Sequence, residues 1–396
     1  MPTHRPDGDN TGELIAYYRK LARLRQRDLA DRIPHSYSLL TQVEAGHKPA
    51  SPDLIAAVAQ ALHLDVTSLT GQPYVTELQQ DRLDQLVRPI REALDLYDLG
   101  ADPSIQPRPL DQLITAANDL CQLVRATRLN KAAEQLPAVT AELTTAAHRS
   151  GSSDAWAALG STYRTAHDLA VKLGFFDLST VALARMGWAA ERASDPLLGA
   201  VRQYMRALVY FREGECVIGQ RLIMSGQQFV NQAESSRESL AVAGQLHLGA
   251  SVLAARARDE NTATEHLSEA RDLAERTGEA GDVHWLSFGP TNVAAHEVSA
   301  QLEFRKWGKA LSAAQHVHLP NSWATSRRAH FHVDKARSQF ETGHAEAALA
   351  SINKARELAP QQTRYHPGAR ETIKDLVHRA RRERGNLNYL ASWIGL

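Results

Sequence analysis

The chain has 396 residues, 43% hydrophobic and 23% charged, which is an ordinary globular composition on a chain too long for one compact core. Lys plus Arg and Asp plus Glu both total 45, so no global charge draws it to nucleic acid or an anionic membrane, and any such contact must come from a local patch. Cys121 and Cys216 are the only cysteines, which excludes a disulfide scaffold and a cysteine-rich zinc site.

Residues 1–11 are polar, rich in Pro, Gly and Asp, and expected to be disordered. The start, MPTHRPDGDNTGE, has no apolar core, and no run of about 18 apolar residues occurs, so no membrane span is expected and the expected location is the cytoplasm. Glu13 to Leu69 holds several short helical patterns, about five by period. TGQPYV (70–75) reads as a linker, a helix is predicted over 76–99 with Pro89 kinking it or ending its first part, and GADPSIQPRP (100–109) reads as a loop. Beyond 110 nearly everything has helical period and strand-like alternation is absent. The expected segments are therefore 1–11, 12–70, 71–109 and 110–396, in an all-α chain.

Within the first helical segment, DLADRI places Leu29, Ala30 and Ile33 on one face of a short helix. SYSLLTQVEAG opens on a good N-cap, Ser36, closes on Gly46, and carries Leu40 and Val43 as an inner stripe. Two such helices with a tight break between them form a helix-turn-helix.

The longer stretch YRKLARLRQRDLADRIPHSYSLLTQVEAGHKPASPDLIAAVAQAL resembles the lambda-repressor-like (xenobiotic-response-element type) DNA-binding domain over roughly Glu13 to Leu69. Its most specific parts are Arg19, Gln26, Leu29-Ala30, Glu44-x-Gly46, Pro49 and LIAAVAQAL. The resemblance implies a small five-helix domain whose second motif helix enters the major groove of double-stranded DNA. By position, Tyr37, Ser38, Thr41 and Gln42 face bases, and Gln42 has the amide suited to adenine. Gln26, Ser36 and Lys48 face phosphates, and Arg19 pairs with Glu44 inside the domain. Two residues depart from the family pattern, Pro34 where glycine is usual and His35 where an apolar residue is usual. Proline cannot take the positive φ that glycine permits, which leaves the turn geometry open. Residues 1–70 carry eight Lys/Arg against eight Asp/Glu. So neutral a reader binds DNA poorly alone, and a homodimer on a palindromic operator is expected.

The C-terminal helices come in pairs. FETGHAEAALASINKARELAPQQTRYHP sets Gly343, Ala355 and Pro367 at the small, small and Pro positions of a tetratricopeptide repeat, where Pro ends the second helix. Weaker units centre on Gly174, Gly214, Arg258 and Arg305, with one more near Arg128; the centres from Gly174 to Gly343 lie 40, 44, 47 and 38 residues apart. A stacked α-solenoid of about six tetratricopeptide-like pairs is the natural architecture, since no pair buries its apolar face alone. A DNA-reading head on such a body is similar to the peptide-sensing regulators grouped as RRNPP, some of them quorum sensors. That likeness implies a small-molecule or peptide effector held on the concave face.

Counting back 13, 9 and 6 residues from each centre gives the stripe expected to line that face. It holds Asn292, His296 and Ser299 in one unit and His330, Asp334 and Arg337 in the next. Ser161, Thr165 and Asp168 form a third polar stripe, while Val201, Met205 and Leu208, with Tyr204 and Phe211 adjacent, and Gln245, Gly249 and Val252 are more apolar. The segment DVHWLSFGPTNVAAHEV (282–298) breaks the period beside Trp285 and His284; it reads either as a pocket wall or as a loop leading to a helix cap at Thr291 or Asn292. The expected ligand residues are Tyr204, Trp285, Asn292, His296, Ser299, His330, Asp334 and Arg337.

Catalytic signals do not assemble. HVH (316–318) and HFH (330–332) lack completing ligands, no zinc-protease, Walker, Rossmann or nucleophile-elbow pattern occurs, and both cysteines sit in apolar helical contexts. The terminal NLNYLASWIGL reads as a cap on the last pair or a docking element. The expectation is a non-enzymatic transcription regulator with no metal or cofactor. The alternative is a helix-turn-helix and repeat scaffold governed by a partner protein.

Overall fold

A computed structural model of the chain describes residues 11–48, 50–64, 66–70, 77–379 and 385–394. The expected tail over 1–10, Pro49 and most of the expected linker lie outside the described residues. Those residues are all-α, with no strand and a single isolated bridge between Ala280 and Phe288.

The first five helices are α1 (Thr11–Leu21), α2 (Gln26–Ala30), α3 (Tyr37–Glu44), α4 (Pro52–Ala61) and α5 (Val66–Thr70). They enclose their own core of Ile15, Leu29, Ile33, Leu40, Val43, Leu54, Ile55, Val58 and Leu69. Ser36 caps α3, its Oγ accepting from the Leu39 N–H at 3.2 Å. Gly46 follows α3 at φ 72°, and His47 N–H returns to the Gln42 carbonyl at 2.8 Å. Between α2 and α3, His35 N–H donates to the Ile33 carbonyl at 2.8 Å. That closes a three-residue turn on Pro34, and an inverse γ-turn needs a central φ close to the one proline already holds. The head turns here without a left-handed residue, which is why proline replaces glycine.

Helix α6 (Glu77–Asp95) runs unbroken through Pro89 and ends earlier than the predicted span. Six helical hairpins follow: α7 (Leu110–Arg125) with α8 (Leu129–Ser150), α9 (Ser153–Leu173) with α10 (Phe176–Ala193), and α11 (Pro196–Glu213) with α12 (Cys216–Val230). Then come α13 (Arg237–Arg256) with α14 (Glu260–Thr277), α15 (Pro290–Glu303) with α16 (Trp307–His316), and α17 (Thr325–Glu341) with α18 (Ala345–Leu358).

All six hairpins turn in one way. Thr127, Gly174, Gly214, Arg258, Arg305 and Gly343 are left-handed, with φ between 57° and 89°. In each case the next residue donates its N–H to the carbonyl five residues back, as in Phe175 to Ala170 and Asp259 to Ala254, both 2.9 Å. This Schellman closure satisfies the last carbonyls of the first helix and sets the angle of the second. Five of the six turns fall on the centres of the sequence frame; the first falls on Thr127, one residue before Arg128.

One expectation is corrected. Pro367 does not end the second helix of the last pair. Helix α18 stops at Leu358, and α19 (Pro360–Tyr365) and α20 (Pro367–Arg379) each begin on a proline, whose missing N–H is not needed in a first turn. Helix α21 (Gly385–Ile394) sets Leu390 and Ile394 against Val333 and Ile373, covering the end of the array.

The array closes on itself. Thr127 Oγ1 donates to the Leu358 carbonyl at 3.1 Å, and Gln361 Nε2 donates to Asn130 Oδ1 at 2.8 Å. The sixth hairpin thus meets the first, and the ring encloses a cavity of ≈ 1400 Å³. Among the described residues no helix is long and apolar enough to cross a membrane.

Candidate functional site

Helix α3 presents Tyr37, Ser38 and Gln42 to solvent, with Tyr37 50% exposed. Gln42 Nε2 reaches Ser38 Oγ at 3.4 Å, and the half-buried Thr41 donates its hydroxyl to the Tyr37 carbonyl at 3.0 Å. Lys48 is exposed beside the helix end. Arg19 holds α1 to α3 with a two-pronged pair to Glu44, Nε to Oε1 at 2.6 Å and Nη2 to Oε2 at 2.7 Å. Gln26 is half-buried at the start of α2, and its side-chain amide donates to Glu44 Oε2 at 2.8 Å, bracing that buried pair.

The head rests on the rim of the array. Helix α4 packs against α11 where Gly214 turns: a Cβ at Gly214 would lie 2.9 Å from Ala56 Cβ. Gln60 Nε2 donates to Glu215 Oε1 at 3.1 Å, and His378 Nε2 donates to the His47 carbonyl at 3.1 Å. Asp53 Oδ2 is held by Arg305 and, at 3.4 Å, by Arg258, the two left-handed arginines of consecutive turns. The His35 side chain, 6% exposed, lies 3.8 Å from the same carboxylate, which explains a polar residue where an apolar one was usual. Burial alone raises the Asp53 pKa; Ser51 and Arg305 outweigh it and hold the carboxyl below its ordinary range.

The cavity brings together seven of the eight expected ligand residues: Tyr204, Trp285, His296, Ser299, His330, Asp334 and Arg337. Asn292 is not among them. It is 0% exposed, its Oδ1 accepts from Arg327 and its Nδ2 donates to Gln245 Oε1 at 3.0 Å, so both amide atoms are spent inside the wall. Gln245 in turn donates to the Tyr204 hydroxyl at 2.8 Å, so one polar chain links α17, α15, α13 and α11. Ser299 donates to Asp334 at 2.7 Å, while His330 and His366 share a hydrogen bond of 2.9 Å. Burial lowers the pKa of His296, His330 and His366 to about 3 and keeps these rings neutral. Burial also raises Asp334.

Residues 278–289 form a brace across the ring. His284, Trp285 and Ser287 are left-handed without being glycine, a backbone held only by its partners. The Trp285 carbonyl accepts from Arg125 at 2.6 Å and Arg164 at 3.2 Å, and Trp285 Nε1 donates to Asn118 at 3.3 Å. Neither Thr291 nor Asn292 caps the following helix; Glu279 accepts the Thr291 N–H at 2.9 Å, with Pro290 in the first turn. Among the described residues no group of three or more His, Cys, Asp or Glu side chains is arranged to hold a metal.

The sequence frame missed the most charged part of the lining. The residue two before each left-handed turn opens on the cavity in all six hairpins: Arg125, Lys172, Arg212, Arg256, Glu303 and Glu341. The position six before lines it in the last five: Asp168, Leu208, Val252, Ser299 and Arg337. Extending the count to the second position would have found these residues, because both offsets fall on the inward side of a helix with 3.6 residues per turn.

A polar helix edge left open on a helix-turn-helix, over a closed helical array, defines a DNA-binding regulator by its head. Residues 15–69 match the family described as Helix-turn-helix, and the match supports a transcription regulator that binds double-stranded DNA. Searches of curated proteins and of solved structures find no match for the chain.

Proposed function

We propose that this chain is an effector-controlled transcription regulator. Residues 12–70 read DNA, 71–109 connect, and 110–396 form a tetratricopeptide-like sensor whose cavity binds a small signal molecule or peptide. Tyr37, Ser38, Thr41 and Gln42 face bases, and Gln26, Ser36 and Lys48 face phosphates. A head of balanced charge gains affinity by acting twice, so a homodimer on a palindromic operator follows, in the cytoplasm.

The supporting observation is that one cavity has walls from both parts. Leu39, Lys48, Ser51, Asp53 and Ile55 of the head line it together with the array. A ligand that reaches the head's end of that space touches both parts, and its affinity then differs between a docked and a released head. That difference is the coupling free energy that regulation requires.

Selection from a random duplex pool with the full chain, followed by footprinting, tests this. The expected result is a two-fold symmetric site with half-sites about 34–36 Å apart. Gln42→Ala should relax one position and cost about 1–3 kcal/mol. Lys48→Ala should weaken all sequences alike and reduce the salt slope by about one. A pool that shows no enrichment, or variants that footprint like the parent, overturns the reading.

A further inference from the structure

One wall of the cavity gathers four cations from three helices. Arg164 and Lys172 lie on one face of α9 with Asp168 between them, Arg125 comes from α7, and Arg327 from α17. Arg125 and Arg164 share the Trp285 carbonyl, which fixes them side by side. Arg327 is aimed by Asn292, itself fixed by Gln245. Two carboxylates face this group: Asp168, 3.5 Å from Arg164, and Asp334, engaged by Ser299. Among the described residues no carboxylate lies within ion-pair distance of Arg125, Lys172 or Arg327.

The donors are also incompletely used. Arg164 is 5% exposed, yet its Nε and Nη1 have no hydrogen-bond partner, and neither does Arg327 Nε. Burial and then Arg164 lower the Arg125 pKa to about 10; burial lowers Lys172 and Arg327 as well. For Asp168 burial acts upward, and Arg164 and Lys172 outweigh it. Crowded like charges with unused donors in a poorly hydrated wall are unfavourable alone, and an anion relieves both costs. Tyr204, Met205, Leu208 and Val252 supply an apolar wall of the same cavity, and Arg327 and Arg164 act on the Tyr204 hydroxyl.

We propose that Arg125, Arg164, Lys172 and Arg327 form the subsite for the anionic group of an amphipathic effector, with its apolar body against Tyr204, Met205, Leu208 and Val252. The shared chemistry is a carboxylate, sulfonate or phosphate on an apolar frame. This rests on the cavity being the effector site, and the two ideas fail differently.

Two dyes with one ring system separate them: 8-anilinonaphthalene-1-sulfonate and its uncharged counterpart N-phenyl-1-naphthylamine, each titrated into the full chain. Saturable binding of both is expected, near one per chain, with the sulfonate tighter. Lys172→Gln and Arg327→Gln should each weaken the sulfonate dye by about tenfold, as loss of a charge-assisted hydrogen bond does. Binding of the uncharged dye should stay within about twofold, with unchanged far-UV circular dichroism. Should one variant misfold, the other decides; Lys172 is the safer, since its side chain is partly open to the cavity. Equal loss of both dyes, or sulfonate binding that neither variant weakens, overturns the anion subsite while the cavity reading stands. A parent chain that binds neither dye overturns the cavity reading as well.

Discussion

Asp53 and Arg305 form an ion pair across 252 positions of sequence, joining the second residue of α4 to the left-handed turn of the fifth hairpin. Arg258, in the same place one hairpin earlier, reaches the same oxygen. Two repeat turns therefore converge on one carboxylate of the head.

Asp53→Asn should loosen that contact without unfolding the head, since Asp53 stands outside the head's own apolar core. Each exposed pair is worth under about 1 kcal/mol, and two sharing one carboxylate about 1–2 kcal/mol. That predicts backbone hydrogen exchange about 5–30 times faster over residues 56–60, where α4 meets the Gly214 turn, with α3 unchanged. High salt should produce the same change in the parent, since the Debye length at 1 M falls to about 3 Å. Exchange that does not respond to either treatment would show that the carboxylate does not hold the head.

The parts legible in the sequence are those fixed by short-range chemistry. Ser36, Gly46 and the apolar stripe of Leu40 and Val43 define α3 with no help from the rest of the chain. Five of the six turns fall on centres set by the repeat spacing, even where Arg258 and Arg305 replace glycine at a cost of about 1 kcal/mol each. Ring closure was not legible, because the small rotation between hairpins accumulates over six units and no local pattern records the sum. Asn292 was placed on the correct helix, but a stripe counted from a turn does not distinguish an open face from the seam between two helices. The cation wall escaped for a related reason: Arg125, Lys172 and Arg164 look like ordinary solvated charges until the ring closes round them.

Stability should peak near neutral pH, with opposite causes on the two sides. Glu371 is pushed up to about 8 by burial, with Asp375 adding to the shift and Arg337 opposing it; burial also lifts Asp375 to about 6. A folded pKa above the unfolded one means stability that is full below about pH 4 and lost as pH rises through 8. The histidines that burial holds low, His167 and His332 at about 4 and His296, His330 and His366 at about 3, act in reverse, their contribution being full above about 6.5 and lost as pH falls towards 3. Five such rings outweigh the two carboxyls below 6.5, so thermal midpoints should be highest at about pH 6.5. Glu371→Gln should flatten the alkaline limb only. At about 1.4 kcal/mol per unit, a folded pKa of about 8 against an unfolded value near 4.3 sets an upper bound of about 5 kcal/mol on the gain at pH 9. A variant less stable than the parent at pH 9 would contradict this account.

Gly244 shows how the brace is seated. It lies inside α13, and a Cβ there would stand 2.0 Å from Cζ of the fully buried Phe288. Phe288 also bonds Ala280, its carbonyl accepting that N–H at 2.8 Å, so this one ring locates the whole 278–289 segment. Gly244→Ala must displace it, at about 1–3 kcal/mol, and the Trp285 carbonyl then moves away from Arg125 and Arg164. Thermal denaturation of a double-mutant cycle isolates the cause. In a Phe288→Ala background the clash is gone, and alanine is better than glycine in a helix interior by about 1 kcal/mol. Gly244→Ala should therefore change sign, from destabilising in the parent to mildly stabilising beside Ala at 288. If it destabilises equally in both backgrounds, close approach of the ring is not what requires glycine at that position.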